Sequence, residues 1–281
     1  MFFTRKLRSY GSVKGSVFCA VLFLVCSSTL AQQRLVMVGG GARPAAAMSK
    51  FVEFAGKDRA RLLIIPWATD EPQSSFESIK KDFEPFHISS IELAPSGPLT
   101  NVTKTEFLNQ LKNATGVFFT GGDQVKIMLV LKDESLLNAI RQRYTAGVVF
   151  GGTSAGTAIM SHRMITGEGD FTVIDGARVQ TTPGLGLLPE NVIVDQHFIK
   201  RQRQNRLFGL ILQDHKALGI GIDEGTALIV SDNRNGEVVG ASKVMIVDST
   251  GKANALTILL KEPGERIDLQ RPFSNQRAAT N

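Results

Sequence analysis

From residue 34 onward, short apolar runs rich in β-branched and aromatic residues alternate with longer stretches whose apolar positions follow a helical period. RLVMV (34–38), RLLII (61–65), ISSIEL (88–93), GVFFT (116–120) and GVVF (147–150) predict strands, and PAAAMSKFVEFAG, SFESIKKDFEPF, KTEFLNQLKN and QVKIMLVLKDESLLNAIRQRY between them predict helices. Strands that are apolar on both faces and separated by helices belong to a parallel sheet covered on both sides. The second half adds strands at VIVDQ (192–196), GIGI (219–222), TALIVS (226–231), VVGASKVMIVD (238–248) and ALTILL (255–260), with a helix over 207–213. The expected class is therefore α/β, a three-layer, mostly parallel sheet with helices on both faces and extra strands in the C-terminal half. No Pro/Gly/Ser linker or internal repeat divides it, so residues 32–261 read as one domain and 262–281 as a polar, aperiodic tail.

The first residues follow a different pattern. Arg5, Lys6, Arg8 and Lys14 precede the apolar run SVFCAVLFLVC, and no acid occurs before Glu53. That is the layout of a secretory signal peptide, residues 1–31, with a cleavage site after Ala31. The apolar run is shorter than the roughly 20 residues a spanning helix needs. An exported protein is expected, periplasmic or extracellular, meeting the membrane only during export.

Composition changes meaning once that segment is set aside. The chain carries 32 Lys and Arg against 26 Asp and Glu, a formal charge of +6, but the signal peptide holds four of the basic residues. The remainder is close to neutral, about +2, so the basicity gives no ground for a nucleic-acid partner. Cys19 and Cys26, the two cysteines, also leave with it, which excludes disulfides, thiolate metal sites and a cysteine nucleophile from the mature chain.

Candidate chemistry begins at GGTSAG (151–156), which matches the G-x-S-x-G elbow with Gly152 and Gly156 in the outer positions. A nucleophilic serine on a strained strand-to-helix turn needs small neighbours, and glycine and serine are also ordinary turn residues. Serine requires a base, and the chain has four histidines. His162 lies eight residues past Ser154 on the helix expected there, too far along its axis, and His215 reads as an exposed turn residue. His87 precedes a strand and has no polar or glycine-rich company. His197 follows VIVDQ and falls just past a strand's carboxyl end, where open α/β sheets place ligands. Glu168 and Asp170, in ITGEGDFTV, are candidates for the group that orients the imidazole, and spacing does not choose between them. Backbone amides for an oxyanion are expected from Ala155 and from Gly121 and Gly122 in FFTGGDQ. Gly39, Gly40 and Gly41 read as a tight turn, since no Gly-Lys-Ser/Thr follows to make a phosphate loop.

Immediately after His197, the run FIKRQRQNRL packs Lys200, Arg201, Arg203 and Arg206 together. At 100° per residue Arg203 and Arg206 would share a helix face while Arg201 would not. Arginines beside a hydrolytic serine would clamp substrate carboxylates, which suits an acidic peptide; the competing reading is a solvated charged face.

FFTGGDQ, GGTSAG, GLGLLP with VIVDQHFIKRQRQNRL, and GIGIDEGTAL together resemble, in order, the motifs of the cyanophycinases. This serine peptidase group also holds aspartyl dipeptidase and has a fold like the class I glutamine amidotransferases. The resemblance covers residues 34 to about 260. It implies Ser154 as nucleophile, His197 as base, Gly121, Gly122 and Ala155 as the oxyanion hole, and Gln124, Asp195, Gln196, Arg201, Arg203 and Arg206 around the substrate. For the third triad member it favours Asp170 over Glu168. Asp195 and Glu224 would meet guanidinium groups, although Glu224 in IDEGTA reads equally as structural. Thr157 stands where alanine commonly follows the elbow glycine, a change a helix tolerates. The implied substrate is cyanophycin, a polyaspartate bearing arginine on its β-carboxyls, cut to β-aspartyl-arginine dipeptides without metal or organic cofactor, by a chain that would form homodimers. The rival readings are a peptidase of short aspartyl or isoaspartyl peptides, an α/β-hydrolase esterase, and a catalytically silent periplasmic binding module for such peptides. The esterase normally has its histidine far later in the chain, and here none follows residue 215.

Overall fold

Five segments of the first half form parallel strands, four of them buried on both faces and the fifth, at the sheet edge, only partly covered. In the computed structural model, which describes residue 1, residues 31–249 and residues 254–273, these are β1 (Arg34–Val38), β2 (Arg61–Ile65), β3 (Ser90–Leu93), β4 (Gly116–Phe119) and β5 (Val149–Thr153). Helices α1 (Ala45–Ala55), α2 (Pro72–Phe83), α3 (Asn101–Asn113), α4 (Gln124–Val130) and α5 (Glu134–Thr145) connect them. The one long helix expected over 124–144 is two, because Asp133 starts a second by accepting the Ser135 amide at 3.0 Å. The predicted signal peptide, apart from its terminal residues, lies outside the described residues. Among the described residues no helix is long and apolar enough to cross a membrane.

The chain then runs through α6 (Ala155–Ala158), β6 (Arg163–Gly169), β7 (Val179–Pro183), β8 (Val192–Gln196), α7 (Gln204–Gln213), β9 (Leu218–Ile222), β10 (Thr226–Ser231), β11 (Asn235–Gly240), β12 (Val244–Asp248), β13 (Thr257–Lys261) and β14 (Arg266–Asp268). The main sheet has the order β14-β11-β10-β1-β5-β4-β2-β3, parallel from β1 to β3 and antiparallel beyond β10. Alternation along its strands sends Val36, Val38, Leu62, Ile64, Phe118 and Val149 toward α1 and α2. Leu35, Met37, Leu63, Ile65, Phe119 and Phe150 face the other way, toward α3, α4 and α5.

The helix-sheet-helix arrangement thus describes the first half. In the second half a four-stranded sheet, β13-β12-β9-β8, packs Val192, Val194, Ile220 and Ile222 into the core shared with Leu228 and Val230. Its outer face, with Ile193 and Val247, is covered by Leu207, Leu210 and Ile211 of α7. The run VVGASKVMIVD is two strands for this reason: β11 belongs to the main sheet and β12 to the second, with the chain crossing over at Gly240, φ 124°. After His162 the chain forms the hairpin β6–β7, with Glu168 in β6 and Asp170 just past its end. In the expected tail, the described residues 262–273 include a strand: β14 pairs with β11, and Ile267 and Leu269 are buried.

Candidate active site

Strand β5 ends at Thr153 and α6 begins at Ala155, leaving Ser154 alone on the turn with φ 54° and ψ −113°. A non-glycine residue in that region is strained and persists only where its surroundings fix it. The outer glycines are required by contact: a Cβ on Gly152 would lie 2.9 Å from Gly156 Cα, and one on Gly156 would lie 2.8 Å from Phe119 Cβ. α6 is only one turn long, so His162 sits in the turn before β6 and not on a continuing helix.

His197 follows β8 directly and is buried. Its Nε2 lies 2.8 Å from Ser154 Oγ and its Nδ1 lies 2.5 Å from Glu224 Oε1. An ionised carboxylate only accepts, so the Nδ1–H donates to Glu224 and the Nε2 lone pair is left to accept the serine proton. With both ring nitrogens occupied, neither Asp170 nor Glu168 can orient the imidazole. Asp170 is instead tied into its own hairpin, accepting from the Thr172 amide at 3.0 Å, the Thr172 hydroxyl at 2.6 Å and Arg178 Nη1 at 3.0 Å. Glu168 stands on the cleft wall near Gln124. The orienting carboxylate is Glu224, which the sequence places only as a guanidinium partner or a structural residue.

Burial is the main force holding the His197 imidazolium below its ordinary range, and the positive charges of Arg201 and Arg203 act in the same direction against the Glu224 bond. The His197 bond in turn holds the Glu224 carboxyl below its ordinary range, helped by Arg201, whose Nε is 3.4 Å from the same Oε1.

Ser154 borders two cavities. One, about 390 Å³, is lined by Gln124, Glu168, Gln196, Arg201, Arg203 and Arg206; the other, about 290 Å³, by Arg43, Ser75, Ser78, Thr120, Gly121 and His197. A larger cavity of about 510 Å³, between Asn191, Lys216, Asp248 and Phe273, contains no member of the Ser154–His197–Glu224 array. Gly121 passes so close to the elbow that an added Cβ would lie 3.3 Å from Ser154 Cβ. Among the described residues the Gly121 and Gly122 amides have no intramolecular acceptor, and Ala155, first residue of α6, presents one of the amides a helix leaves unpaired.

The arginines divide by environment. Arg206 is fully buried and forks over Asp195, donating through Nε to Oδ2 at 2.6 Å and through Nη2 to Oδ1, with its guanidinium 5.0 Å above the Phe171 ring. Asp195 therefore lies beneath the cavity, 1% exposed and neutralised by Arg206, where a substrate-facing position is expected from sequence. Arg203 is half-buried and donates to Gln196 O at 3.1 Å; burial, with Arg206 and Arg201 nearby, brings its pKa down to about 10. Arg201 is more than half exposed and borders both cavities. Because α7 begins only at Gln204, the helical-face relation expected among these arginines does not arise. The turn before α7 is held by Asp223, which accepts the Ile199 and Lys200 amides at 3.0 and 2.8 Å. Gln124 donates to Ile165 O at 2.9 Å, and Gln196 Oε1 is 3.5 Å from Ser154 Oγ.

A hydroxyl bonded to a neutral imidazole that a carboxylate orients, beside unpaired amides at the carboxyl edge of an α/β sheet, defines a serine hydrolase. The chain belongs to peptidase family S51, whose family model matches residues 28–238, and it is a serine-type peptidase. It is 36% identical over 225 residues to a cyanophycinase of Trichormus variabilis, covering 78% of this chain and 75% of that one. A cyanophycinase of Geminocystis herdmanii is 35% identical over 227 residues, with 79% and 82% covered. The crystal structure of a peptidase from an acI-B1 Actinobacterium superposes with a TM-score of 0.66 at 26% identity, across 84% of this chain and 97% of that one.

Proposed function

We propose that this peptidase is exported and hydrolyses cyanophycin, cutting the aspartate backbone from the chain end to release β-aspartyl-arginine dipeptides. The observation that carries the reading is the arginine-lined cavity opening directly onto the Ser154–His197 pair. A polymer with a free carboxylate on every arginine unit matches Arg201 and Arg203, and the relatives that are 35% and 36% identical carry the name cyanophycinase. The basic and apolar segment before Ala31 supports export.

In the proposed mechanism Ser154 Oγ attacks the scissile carbonyl while His197 Nε2 takes its proton, and Glu224 balances the imidazolium that results. The Gly121, Gly122 and Ala155 amides receive the oxyanion. Collapse breaks the carbon–nitrogen bond, His197 returns its proton to the departing amine, and an acyl-enzyme is left on Ser154. Water, deprotonated by His197, then attacks that ester and restores the hydroxyl.

Incubating the protein purified from residue 32 onward with insoluble cyanophycin, and identifying soluble products by mass spectrometry, tests the reading. Dipeptides are expected from wild type and none from Ser154→Ala, which should still bind the polymer. Activity confined to short aspartyl peptides would overturn the polymer assignment, and undiminished activity of Ser154→Ala would overturn the mechanism. Intact residues 1–31 on a cytoplasmic protein would overturn export.

A further inference from the structure

The glycine run that leaves β1 has the tight-turn form expected of it, and it also touches every member of the Ser154–His197–Glu224 array. The Ser154 amide donates to Val38 O at 3.1 Å, the His197 amide to the next carbonyl, Gly39 O, at 2.7 Å, and the Gly225 amide, beside Glu224, to the one after, Gly40 O, at 2.9 Å. Three successive carbonyls thus hold the ends of β5 and β8 and the turn between β9 and β10. Ser154 and His197 both have left-handed backbone, φ 54° and 51°, and such residues need surroundings that over-determine them.

Side-chain space tells the same story. Gly40, φ 115°, lies so near the imidazole that an added Cβ would be 2.6 Å from both Nδ1 and Nε2 of His197. A Cβ on Gly41 would meet Glu224 Oε2 at 3.1 Å. From the elbow, the buried Thr157 hydroxyl donates to Val38 O at 2.7 Å, the carbonyl that also holds the Ser154 amide, and lies 2.9 Å from Gly152 O.

We propose that the Val38–Gly41 turn is the brace that aligns the three side chains, with Gly40 acting as a positioning residue through His197 and Thr157 through Ser154. The proposal rests on the Ser154–His197–Glu224 reading. Any side chain at Gly40 pushes the ring off the line between Ser154 and Glu224. Loss of the Thr157 hydroxyl removes one of the two bonds that hold the elbow to Val38 O and leaves the Ser154 amide to hold it alone.

The test is the rate at which a fluorophosphonate modifies Ser154, read by intact mass, with kcat and KM measured alongside on the peptide substrate. Gly40→Ala and Thr157→Val are expected to be labelled about 10- to 100-fold more slowly than wild type, the loss falling on kcat with KM unchanged. Thr157→Ser, which keeps the hydroxyl, should react at nearly the wild-type rate. Gly264→Ala controls for backbone strain alone: its φ is 90° and nothing lies within 4 Å of the added Cβ, so labelling should not change. Wild-type rates in Gly40→Ala or Thr157→Val would overturn the brace. Should Gly40→Ala fail to fold, the Thr157 pair decides: a slow valine variant rescued by serine supports it, and equal rates overturn it. An unreactive wild-type serine would instead sink the Ser–His reading. The brace is then judged from the His197 ring resonances in the NMR spectrum, which must move between wild type and a folded Gly40→Ala or, failing that, Thr157→Val; if they do not, it is overturned.

Discussion

Glu224→Gln keeps the shape of the side chain that faces His197 and removes its charge. Two losses follow. A glutamine amide can donate to Nδ1, which favours the tautomer with the proton on Nε2 and leaves no lone pair for the Ser154 proton. The imidazolium formed during attack also loses its counter-charge. In a fully buried triad, changing the carboxylate to its amide lowers kcat by about 10⁴. Here the Glu224 side chain is 27% exposed and shares its Oε1 with Arg201, so water and a neighbouring cation already weaken its field. The expected loss is therefore about 10²- to 10³-fold in kcat, ~2.7–4.1 kcal/mol of transition-state stabilisation. Dipeptide release measured beside Asp170→Asn and Glu168→Gln gives the comparison. Asp170 serves its hairpin and Glu168 the cavity wall, so both should retain kcat within about threefold. A Glu224→Gln enzyme with near-wild-type kcat, or an Asp170→Asn enzyme that loses 10² or more, would refute the assignment.

Since only neutral imidazole accepts the serine proton, activity should persist on the acid side and fall as pH drops through the depressed His197 value, so the acid midpoint of kcat/KM lies below 6.5. Arg201→Gln removes one of the charges that disfavour the imidazolium, so the midpoint should move up; a pH profile that moves down or stays fixed contradicts the electrostatic account. Asp195→Asn leaves Arg206 charged and buried without its counter-ion, and should cost about 3–5 kcal/mol in urea unfolding, whereas the paired change Asp195→Leu with Arg206→Met should cost less. A loss below about 1 kcal/mol for Asp195→Asn would show that water reaches the pair.

The parallel half of the fold was legible because strands buried on both faces cannot hide their composition: RLVMV and RLLII are polar only at their first position, and GVFF has no polar side chain. Hairpin β6–β7 escaped because its RMITGEG and VQTTP strands are only partly buried, so they show neither a continuous apolar run nor clean alternation. β14 has one buried residue in three, Ile267, too few to stand out from the polar residues around it. The split of VVGASKVMIVD between two sheets depends on a crossover at Gly240 that leaves both flanking runs equally apolar.

For the site, the elbow and the histidine were readable because each carries a local reason, a ring of glycines and a position past a strand end. The orienting carboxylate was not, and the reason is topological. Glu168 and Asp170 lie between Ser154 and His197 in sequence, yet proximity to an imidazole is set by which strand runs beside the one that bears it. β9 pairs with β8 in parallel register, Gln196 opposite Ile222, so whatever follows Ile222 leaves the sheet beside His197. The apolar run GIGI followed by DEG contained that signal: Asp223 turns back to hold the Ile199 and Lys200 amides, and Glu224 is the next carboxylate at the same edge. Choosing it from sequence required knowing that VIVDQ and GIGI are neighbours in one sheet. A helix of suitable length between two strands makes that pairing reasonable, because a right-handed β-helix-β crossover returns the chain parallel to its start, and α7 does so here. The same crossover accounts for Arg206, which lies on α7 and reaches Asp195 on the strand beneath, so that although all three arginines border the cavity, the Arg206 guanidinium is committed to a buried carboxylate.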